Sequence, residues 1–494
     1  MKPLTIVVPY RPGAFFEKSL HLLRESALVE RVVIIGKAPV RLKGEGCQVL
    51  VGEPLSSSQT LGRILSGIQT KYLLLFSDDP PFSTETHSLE RLIQKAESTK
   101  AGIVYSDFYD ATKDGKMLHP LNDYQRGSVR DDFDFGLMVL YSIPEVRKAL
   151  KEYGQMPDVK CAGLYDLRLK VSIDHPIHHL REPLYSVIRT VGAIHELPLQ
   201  EKTFAYVHPR NRAGQKEMER VFADYLKKIG AYLPAHQLRE VEETRKPFAV
   251  EASIVIPVRN RKKTIAEAIK SALSQKTDFP FNIIVVDNHS TDGTTTILSD
   301  LAKKYRLMIH VVPKRTDLGI GGCWNEGLRH EACGRYAVQL DSDDLYRSPI
   351  TLQKMVDLLR QGKYAMVIGS YTLVDSKLKE LSPGLINHRE WTDENGHNNA
   401  LRINGLGAPR AFNTSLMRKI KFLNVSYGED YAAALRICRE YRIGRIYESL
   451  YLCRRWSGNT DAALSIEERN RYDAFKDRIR TAEILARQEM NQKK

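Results

Sequence analysis

Cysteine is scarce in this sequence, and no two cysteines form a C-x-x-C pair. Disulfide-stabilised domains are dense in patterned cysteines, and zinc sites need closely spaced pairs. The cysteine content therefore argues against a disulfide framework and a structural zinc site, and it favours a reduced compartment. The 494 residues contain six cysteines, namely Cys47, Cys161, Cys323, Cys333, Cys438 and Cys453.

Long apolar runs are also missing. Nowhere do eighteen apolar residues follow one another, as a membrane-spanning helix requires. The apolar run Leu4–Val8 ends at Pro9 and is too short for a secretory signal. We therefore expect a cytoplasmic protein that neither spans a membrane nor is exported by the usual route. Peripheral association with the inner face of the membrane stays open.

No basic tract stands out, although the chain carries a net charge of +14. The lysines and arginines are dispersed, without zinc-finger spacing or interleaved aromatics, so we expect no nucleic-acid partner. The dispersed charge predicts a general attraction for anions. An apolar fraction of 42% and a charged fraction of 27% are typical of a folded globular protein, whose length predicts two or three domains.

A cluster of acids follows one apolar run. The run Tyr336–Val338 leads directly into Gln339-Leu340-Asp341-Ser342-Asp343-Asp344. Carboxylates at the end of a buried strand, together with substrate phosphates, can hold a hard divalent cation such as Mg²⁺ or Mn²⁺. This pattern predicts a site for a metal and a phosphate-bearing substrate. The alternative is that Asp344 only caps a helix over Arg347–Leu359.

Short apolar runs alternate with helical stretches along the whole chain, which predicts an α/β protein with mostly parallel sheets covered on both faces. In the first half, Tyr72–Phe76 ends in Ser77-Asp78-Asp79, and Asp166 is predicted to open a helix over Leu167–Val171. The second half begins afresh at Ser253–Pro257. Its loops after the strands lie where open α/β sheets bind ligands.

The two halves repeat each other in order and at nearly constant spacing, which predicts a tandem domain duplication. A helix with one apolar face over Gln215–Ile229 is predicted between them. The predicted domains are residues 1–190, a helical connector 191–250, a second domain 251–460 and a C-terminal helix 461–494. The matching pairs are Val8-Pro9 with Ile256-Pro257, Asp79 with Asp343, Asp166 with Asp430, Leu184-Tyr185 with Leu450-Tyr451, and Arg210-Asn211-Arg212 with Arg469-Asn470-Arg471.

The second half closely resembles the family 2 glycosyltransferases of the GT-A fold. The resemblance rests on five motifs in the family's order: IVIPVRN at Ile254–Asn260, VVDNHSTDGT at Val285–Thr294, NEGL at Asn325–Leu328, QLDSDD at Gln339–Asp344 and GEDYAAALR at Gly428–Arg436. It implies two tandem GT-A-like domains, a divalent metal, and transfer of a sugar to an acceptor hydroxyl with inversion. The donor implied is a nucleotide sugar, most simply a UDP-sugar, and the acceptor a surface glycan or a lipid-linked glycan.

The resemblance also implies roles for individual residues. Asp341 and Asp343 would hold Mg²⁺ or Mn²⁺, and Asp430, with Glu429 beside it, matches the catalytic carboxylate. From the residues alone, Asp430 could instead be a helix cap or first-turn acid. Further donor-binding candidates are Pro257, Asn260, Asp287 for the base, Asn325 near the diphosphate, Asp341 and Arg455.

Two departures from the family pattern leave alternatives open. The arginine that often precedes the asparagine of the N-x-G motif is Trp324 here, so diphosphate contacts are rearranged or Trp324 stacks or packs. In the first half, Gly36 stands where the base-reading acid is expected, although Asp78, Asp79 and Asp166 could form a second site. The whole is therefore a transferase with one active half, a bifunctional transferase, or a transferase whose first half only binds the acceptor glycan.

Overall fold

The computed structural model describes residues 2–39, 47–77, 81–85, 87–188, 205–241, 247–403, 406–456, 459 and 464–493. The chain divides into two compact units. Unit 1 comprises Met1–Pro198, Arg212–Tyr232 and Leu464–Lys494, and unit 2 comprises Leu199–Asn211 and Leu233–Ala463. Each unit has its own apolar core.

Unit 1 contains two sheets. Its strands are β1 (Leu4–Pro9), β2 (Val29–Gly36), β3 (Cys47–Val51), β4 (Tyr72–Phe76), β5 (Phe82–Thr84), β6 (Ile103–Ser106), β7 (Phe108–Thr112), β8 (Gly115–His119), β9 (Met138–Ser142), β10 (Ile177–Leu180) and β11 (Tyr185–Ile188). The larger sheet has the order β10-β6-β9-β4-β1-β2-β3, and the smaller one β5-β11-β7-β8. In the larger sheet only the pairings of β9 with β4 and β6 are antiparallel.

Six helices and the C-terminal helix complete unit 1 in the part of the chain that the structure describes. They are α1 (Ala14–Glu25), α2 (Ser58–Gly67), α3 (Ser88–Thr99), α4 (Ile143–Tyr153), α5 (Gly163–Asp174), α6 (Arg212–Lys228) and, at the end of the chain, α14 (Ile466–Gln492). The first turn of α14 has a capping box, in which Ser465 and Glu468 bond each other's backbone N–H groups.

Unit 2 is built on one nine-stranded sheet with the order β14-β13-β12-β15-β19-β17-β20-β16, and β18 lies beside β17. The strands are β12 (Ala252–Val258), β13 (Phe281–Asp287), β14 (Met308–Val311), β15 (Tyr336–Gln339), β16 (Leu345–Tyr346), β17 (Met366–Val374), β18 (Glu380–Ile386), β19 (Arg410–Asn413) and β20 (Ile443–Arg454). The helices are α7 (Ile265–Leu273), α8 (Thr294–Lys304), α9 (Ile320–Arg329), α10 (Thr351–Arg360), α11 (Gly396–Asn399), α12 (Thr414–Ile420) and α13 (Glu429–Cys438).

The central strands of both units are apolar on both faces. Every residue of β4 and of β13 is buried. Strands read as continuous apolar runs when helices cover both faces of a sheet, and the helices here turn one apolar stripe inward. The predicted α/β class with mostly parallel sheets is therefore confirmed.

The two units have the same strand order. The series β3-β2-β1-β4-β9-β6-β10 corresponds, strand for strand and direction for direction, to β14-β13-β12-β15-β19-β17-β20. In unit 2 the long strands β17 and β20 continue past the main sheet. The second half of β17 pairs with β18 as β7 pairs with β8. The second half of β20 pairs with β16 as β11 pairs with β5. A tandem duplication predicts this match.

Several predicted element boundaries move. Helix α5 starts at Gly163, so Asp166 lies inside its first turn rather than opening it. Asp344 is followed by the strand Leu345–Tyr346, and the next helix begins only at Thr351, so the helix-cap alternative for Asp344 is wrong. Helix α6 of the predicted connector and the predicted C-terminal helix α14 both belong to unit 1.

Candidate active site

The acids after β15 lie in a tight turn at the carboxyl end of that strand. Asp341 N–H donates to Tyr451 Oη at 2.8 Å, and Asp344 Oδ1 accepts from Arg454 N–H at 2.7 Å. Burial raises the pKa of Asp344 well above its usual value, and the nearby carboxylates Asp343 and Asp341 raise it further. The turn is therefore fastened to β20, and Asp344 serves as a buried anchor.

Asp341 and Asp343 are the two acids of this turn that could hold a metal. Burial raises the pKa of Asp341, and Asp343 adds to the effect, whereas a hydrogen bond from Gln339 lowers it. Asp343 Oδ2 accepts from Trp456 Nε1–H at 3.2 Å and lies 3.5 Å from Arg261 Nε. Positively polarised groups thus already point at the Asp343 carboxylate.

The donor set fits Mg²⁺ or Mn²⁺ bound jointly with a substrate. Among the described residues no three His, Cys, Asp or Glu side chains are grouped so that they could hold a metal ion. Mg²⁺ is usually held by one or two carboxylates together with substrate phosphates, and Asp341 and Asp343 supply two. These two acids therefore suit a metal that binds together with a diphosphate.

Helix α13 presents two further acids at its first turn. Gly428 precedes it with a φ of 78°, the left-handed conformation that glycine adopts at little cost. Asp430 is the second helical residue, and about a third of its side chain is exposed. Glu429 is buried, and burial, with Asp430 next to it, raises the pKa of Glu429 to about 8. Burial therefore favours the protonated form of Glu429, and Asp430 is the more exposed of the two acids.

Arg410 and Gln339 connect the two acidic groups. Gln339 Nε2–H donates to Asp341 Oδ1 at 2.9 Å, and Arg410 Nη1–H donates to Gln339 Oε1 at 2.9 Å. Arg410 Nη2–H donates to Asp430 Oδ2. Sequence reasoning missed Arg410, because a lone arginine at the start of a short strand gives no signal until β19 is known to lie beside β15.

The predicted base-reading Asp287 is held within its own loop. Its side chain is fully buried. Although burial opposes ionisation, hydrogen bonds from His310, Ser290 and Thr295 lower the pKa of Asp287 to about 2. Asp287 Oδ1 accepts from Ser290 N–H at 3.1 Å and Oδ2 accepts from Thr295 Oγ1–H at 2.6 Å. These contacts fix the loop after β13.

Pro257 and Asn260 lie at the end of β12, beside the loop after β13. Pro257 pairs with Val286 in the parallel ladder. Asn260 has a φ of 56°, and its Oδ1 accepts from Thr291 N–H at 2.8 Å. The two loops at this sheet edge are therefore tied to each other, which gives a rigid wall where open α/β sheets bind nucleotides.

Asn325 and the glycines before it serve packing in this structure. Asn325 Nδ2–H donates to Phe422 O at 2.8 Å, and its Oδ1 accepts from Phe422 N–H at 2.9 Å. A Cβ at Gly321 would meet Leu423 O at 1.9 Å, so the segment after Phe422 sits directly on α9. Trp324 is buried with its ring 5.3 Å from that of Phe422. Trp324 therefore packs inside the fold, with its ring stacked on that of Phe422.

The two arginines at the end of β20, Arg454 and Arg455, differ in how deeply they are buried. Arg454 is 4% exposed and pairs with Glu267, so it is not a solvated surface residue. Arg455 is partly exposed, and its backbone N–H donates to Val374 O at 2.7 Å. Of the two arginines, Arg455 is the one whose side chain reaches solvent, as a diphosphate ligand must.

In unit 1 the acid that corresponds to Asp430 is Asp166, and it is buried and paired. Asp166 is 2% exposed, and its Oδ2 accepts from Lys170 Nζ–H at 2.7 Å. Burial raises the pKa of Asp166, and Lys170 counteracts this effect. Asp78 and Asp79 lie outside the described residues. Asp166 is therefore neutralised inside the fold by a lysine one helical turn away.

A segment of unit 2 is similar in sequence to a known protein family. The family description "Glycosyl transferase family 2" matches residues 253–422. In the part of the chain that the structure describes, no helix is long and apolar enough to cross a bilayer.

Two curated relatives and one solved structure illustrate the similarity. The "Putative glycosyltransferase EpsE" of Bacillus subtilis is 33% identical over 124 residues, which are 25% of this chain and 44% of that protein. The "Poly(ribitol-phosphate) beta-glucosyltransferase" of Bacillus spizizenii is 25% identical over 47% of this chain and 36% of its own length. Residues 1–349 of S. aureus TarS, solved with UDP-GlcNAc, are 22% identical over 48% of this chain and 72% of that chain, with a TM-score of 0.36.

The chain spans less than half the length of these curated relatives. The matched segment runs from β12 through β19 to Phe422, so it includes Asp341, Asp343 and Arg410. The motifs at Ile254–Asn260 and Gln339–Asp344 therefore lie in a family 2 glycosyltransferase domain at residues 253–422.

Proposed function

We propose that this chain is a metal-dependent, inverting glycosyltransferase whose unit 2 moves a sugar from a nucleoside-diphosphate donor, a UDP-sugar in the first instance, to an acceptor hydroxyl. The acceptor is a surface glycan of the bacterial type or a lipid-linked glycan. The names of both curated relatives support sugar transfer, and the name of the Bacillus spizizenii relative, which includes poly(ribitol-phosphate), supports a polymer as the acceptor. The contact of Arg410 with Asp430, and through Gln339 with Asp341, carries the proposal, because it brings a metal-binding acid and a proton acceptor to one site.

The donor fits the wall formed by the loops after β12 and β13. Pro257, Asn260 and Asp287 define this wall for the nucleoside, and the partly exposed Arg455 offers a guanidinium that can hold two phosphate oxygens. Asp341 and Asp343 would hold a Mg²⁺ or Mn²⁺ together with the diphosphate. Such an ion supplies neutralisation of the negative charge that develops on the leaving nucleoside diphosphate.

Asp430 acts at the acceptor. Its carboxylate takes the proton of the acceptor hydroxyl as that oxygen attacks the anomeric carbon. The bond between the anomeric carbon and the diphosphate oxygen breaks at the same time, and its electron pair leaves with the nucleoside diphosphate. Attack opposite to the leaving group inverts the configuration. Arg410 keeps Asp430 in place, and the neutral Glu429 adds no competing charge.

The test is transfer by the full chain from a panel of UDP- and GDP-sugars, with and without Mn²⁺. We expect acceptor-dependent release of the nucleoside diphosphate that stops when EDTA removes the metal, and an inverted anomeric centre by NMR spectroscopy. Release that persists unchanged in EDTA, or a product that retains the donor configuration, would contradict the proposal.

We further propose that unit 1 does not transfer sugars, which leaves binding of the acceptor glycan as the remaining alternative for it. The supporting observation is that Leu75 and Val139 occupy in unit 1 the register positions that Gln339 and Arg410 occupy in unit 2. The bifunctional alternative predicts a second transfer activity that survives loss of Asp343, and assays of Asp343→Ala with the same donor panel decide between them.

A further inference from the structure

Four side chains, joined by three hydrogen bonds, form a continuous polar bridge inside unit 2. Starting from Asp341, the bridge runs through Gln339 to Arg410 and ends on Asp430. Gln339 and Arg410 are buried, at 5% and 8% exposure. Buried hydrogen bonds of this kind are costly unless every partner is in place, so the bridge has a defined geometry.

The guanidinium of Arg410 is fixed on three sides. Its Nε–H donates to Leu406 O at 2.7 Å, its Nη1–H to Gln339 Oε1 and its Nη2–H to Asp430 Oδ2. A planar fork of donors held at three points cannot turn toward one partner without changing its bonds to the others. A change in the position of Asp341 or of Asp430 therefore alters the hydrogen bonds that hold the other acid.

Unit 1 shows that the fold does not need this bridge. Its strand β4 pairs with β1 and β9 in the register of β15, and Leu75 faces Val139 across the ladder. Ser77 stands at the position of Asp341, where its Oγ–H donates to Gly136 O at 3.0 Å. The same sheet thus forms with an apolar pair, and the polar pair of unit 2 is retained for another reason than folding.

We propose that Arg410 is a positioning residue that orients Asp430 for proton abstraction and, through Gln339, couples that orientation to metal and diphosphate binding at Asp341. The proposal rests on the proposed function of unit 2. Binding of the metal and the diphosphate at Asp341 thereby orients Asp430 toward the acceptor.

The first test measures Mn²⁺ binding to the full chain in the presence of UDP by calorimetry, so it needs no transfer. We expect Asp430→Asn to change the Mn²⁺ affinity by roughly threefold or more, a coupling typical of residues in one network. In a Gln339→Leu background the same substitution should change the affinity little, because the bridge is cut. Gln353→Leu, which removes a glutamine hydrogen-bonded to Asp357 on α10, is the matched control.

The outcomes separate the two proposals. An equal effect of Asp430→Asn in both backgrounds would show that the acids act on each other only through space, and it would overturn the bridge. Failure of the unaltered chain to bind Mn²⁺ and UDP together would overturn the proposed function and the bridge with it.

The second test replaces the polar pair of unit 2 with the apolar pair that unit 1 has at the same register positions. The double variant Gln339→Leu with Arg410→Val should fold, since unit 1 packs the same pair in the same register. We expect its kcat to fall roughly a hundredfold while the donor KM stays within about threefold, the pattern of an interaction made in the transition state. Arg410→Lys should recover part of the kcat by restoring a charge beside Asp430. A donor KM that rises as much as kcat falls, or a Lys variant no better than the double variant, would make Arg410 a merely structural residue.

Discussion

Units 1 and 2 share a strand order and differ in what stands at the same sheet edge. In unit 2 the strand that leads to the acids ends in Gln339, which joins Arg410, whereas unit 1 has Leu75 against Val139. The neighbouring sequence has Asp341 in unit 2 and Ser77 in unit 1. The comparison shows that unit 1 maintains this sheet with an apolar pair, and our proposal assigns the polar pair of unit 2 to catalysis.

The helical acids show the same contrast. Asp430 pairs with an arginine from another strand and leaves a third of its side chain exposed, whereas the side chain of Asp166 is 3% exposed and pairs with Lys170 on its own helix. A carboxylate that accepts a substrate proton must be reachable. An acid closed off by an internal lysine serves the fold instead.

The largest effect is expected at the predicted metal ligand. Asp343→Ala should lower transfer by about a thousandfold or more, because a bound metal supplies several kcal/mol of charge stabilisation. Its counterpart Asp79→Ala in unit 1 should leave transfer unchanged. Initial rates with saturating donor and Mn²⁺ measure both. A comparable loss in Asp79→Ala would mean that unit 1 takes part in catalysis.

Substitution of the helical acid should lower turnover in unit 2 and lower stability in unit 1. Asp430→Asn should lower kcat roughly a hundredfold, the usual scale of general base catalysis, while UDP and Mn²⁺ still bind. Asp166→Ala should instead destabilise the chain by about 3 kcal/mol, because it leaves the Lys170 amine buried without its carboxylate. Urea denaturation and calorimetry distinguish the two results. Equal loss of donor binding in Asp430→Asn would make Asp430 a donor-site residue.

A smaller effect is expected on the pH dependence of unit 2. The pKa of Asp287 is lowered to about 2, so its ionised form stabilises the fold above pH 4, and this stabilisation disappears as the pH falls from about 4 to 2. Asp287→Asn should therefore cost about 2 kcal/mol at pH 7 and much less at pH 2.5. Unit 1, with Gly36 in this place, should lack this transition. Denaturation curves at the two pH values give the difference, and a cost independent of pH would contradict it.

The sequence by itself determined the class of fold and the position of the acids. Short continuous apolar runs such as Tyr72–Phe76 predicted strands covered on both faces, and the order of motifs from Ile254 to Arg436 identified the family resemblance that the comparison with known proteins confirmed. Strand-end acids such as Asp341 were predicted because a parallel sheet brings the carboxyl ends of its strands to one edge.

Which side chains meet across that edge was decided only by the tertiary structure. Arg410 and Gln339 are far apart in sequence and become partners because β19 runs antiparallel beside β15. The ordering of β19 between β15 and β17 is a packing result that no local periodicity encodes. Likewise, only the fold shows that Asn325, expected near the diphosphate, bonds to Phe422, that Trp324 packs against Phe422, and that Asp166 is neutralised by Lys170. Burial and the partner across the fold, rather than residue type, decide what a side chain can do.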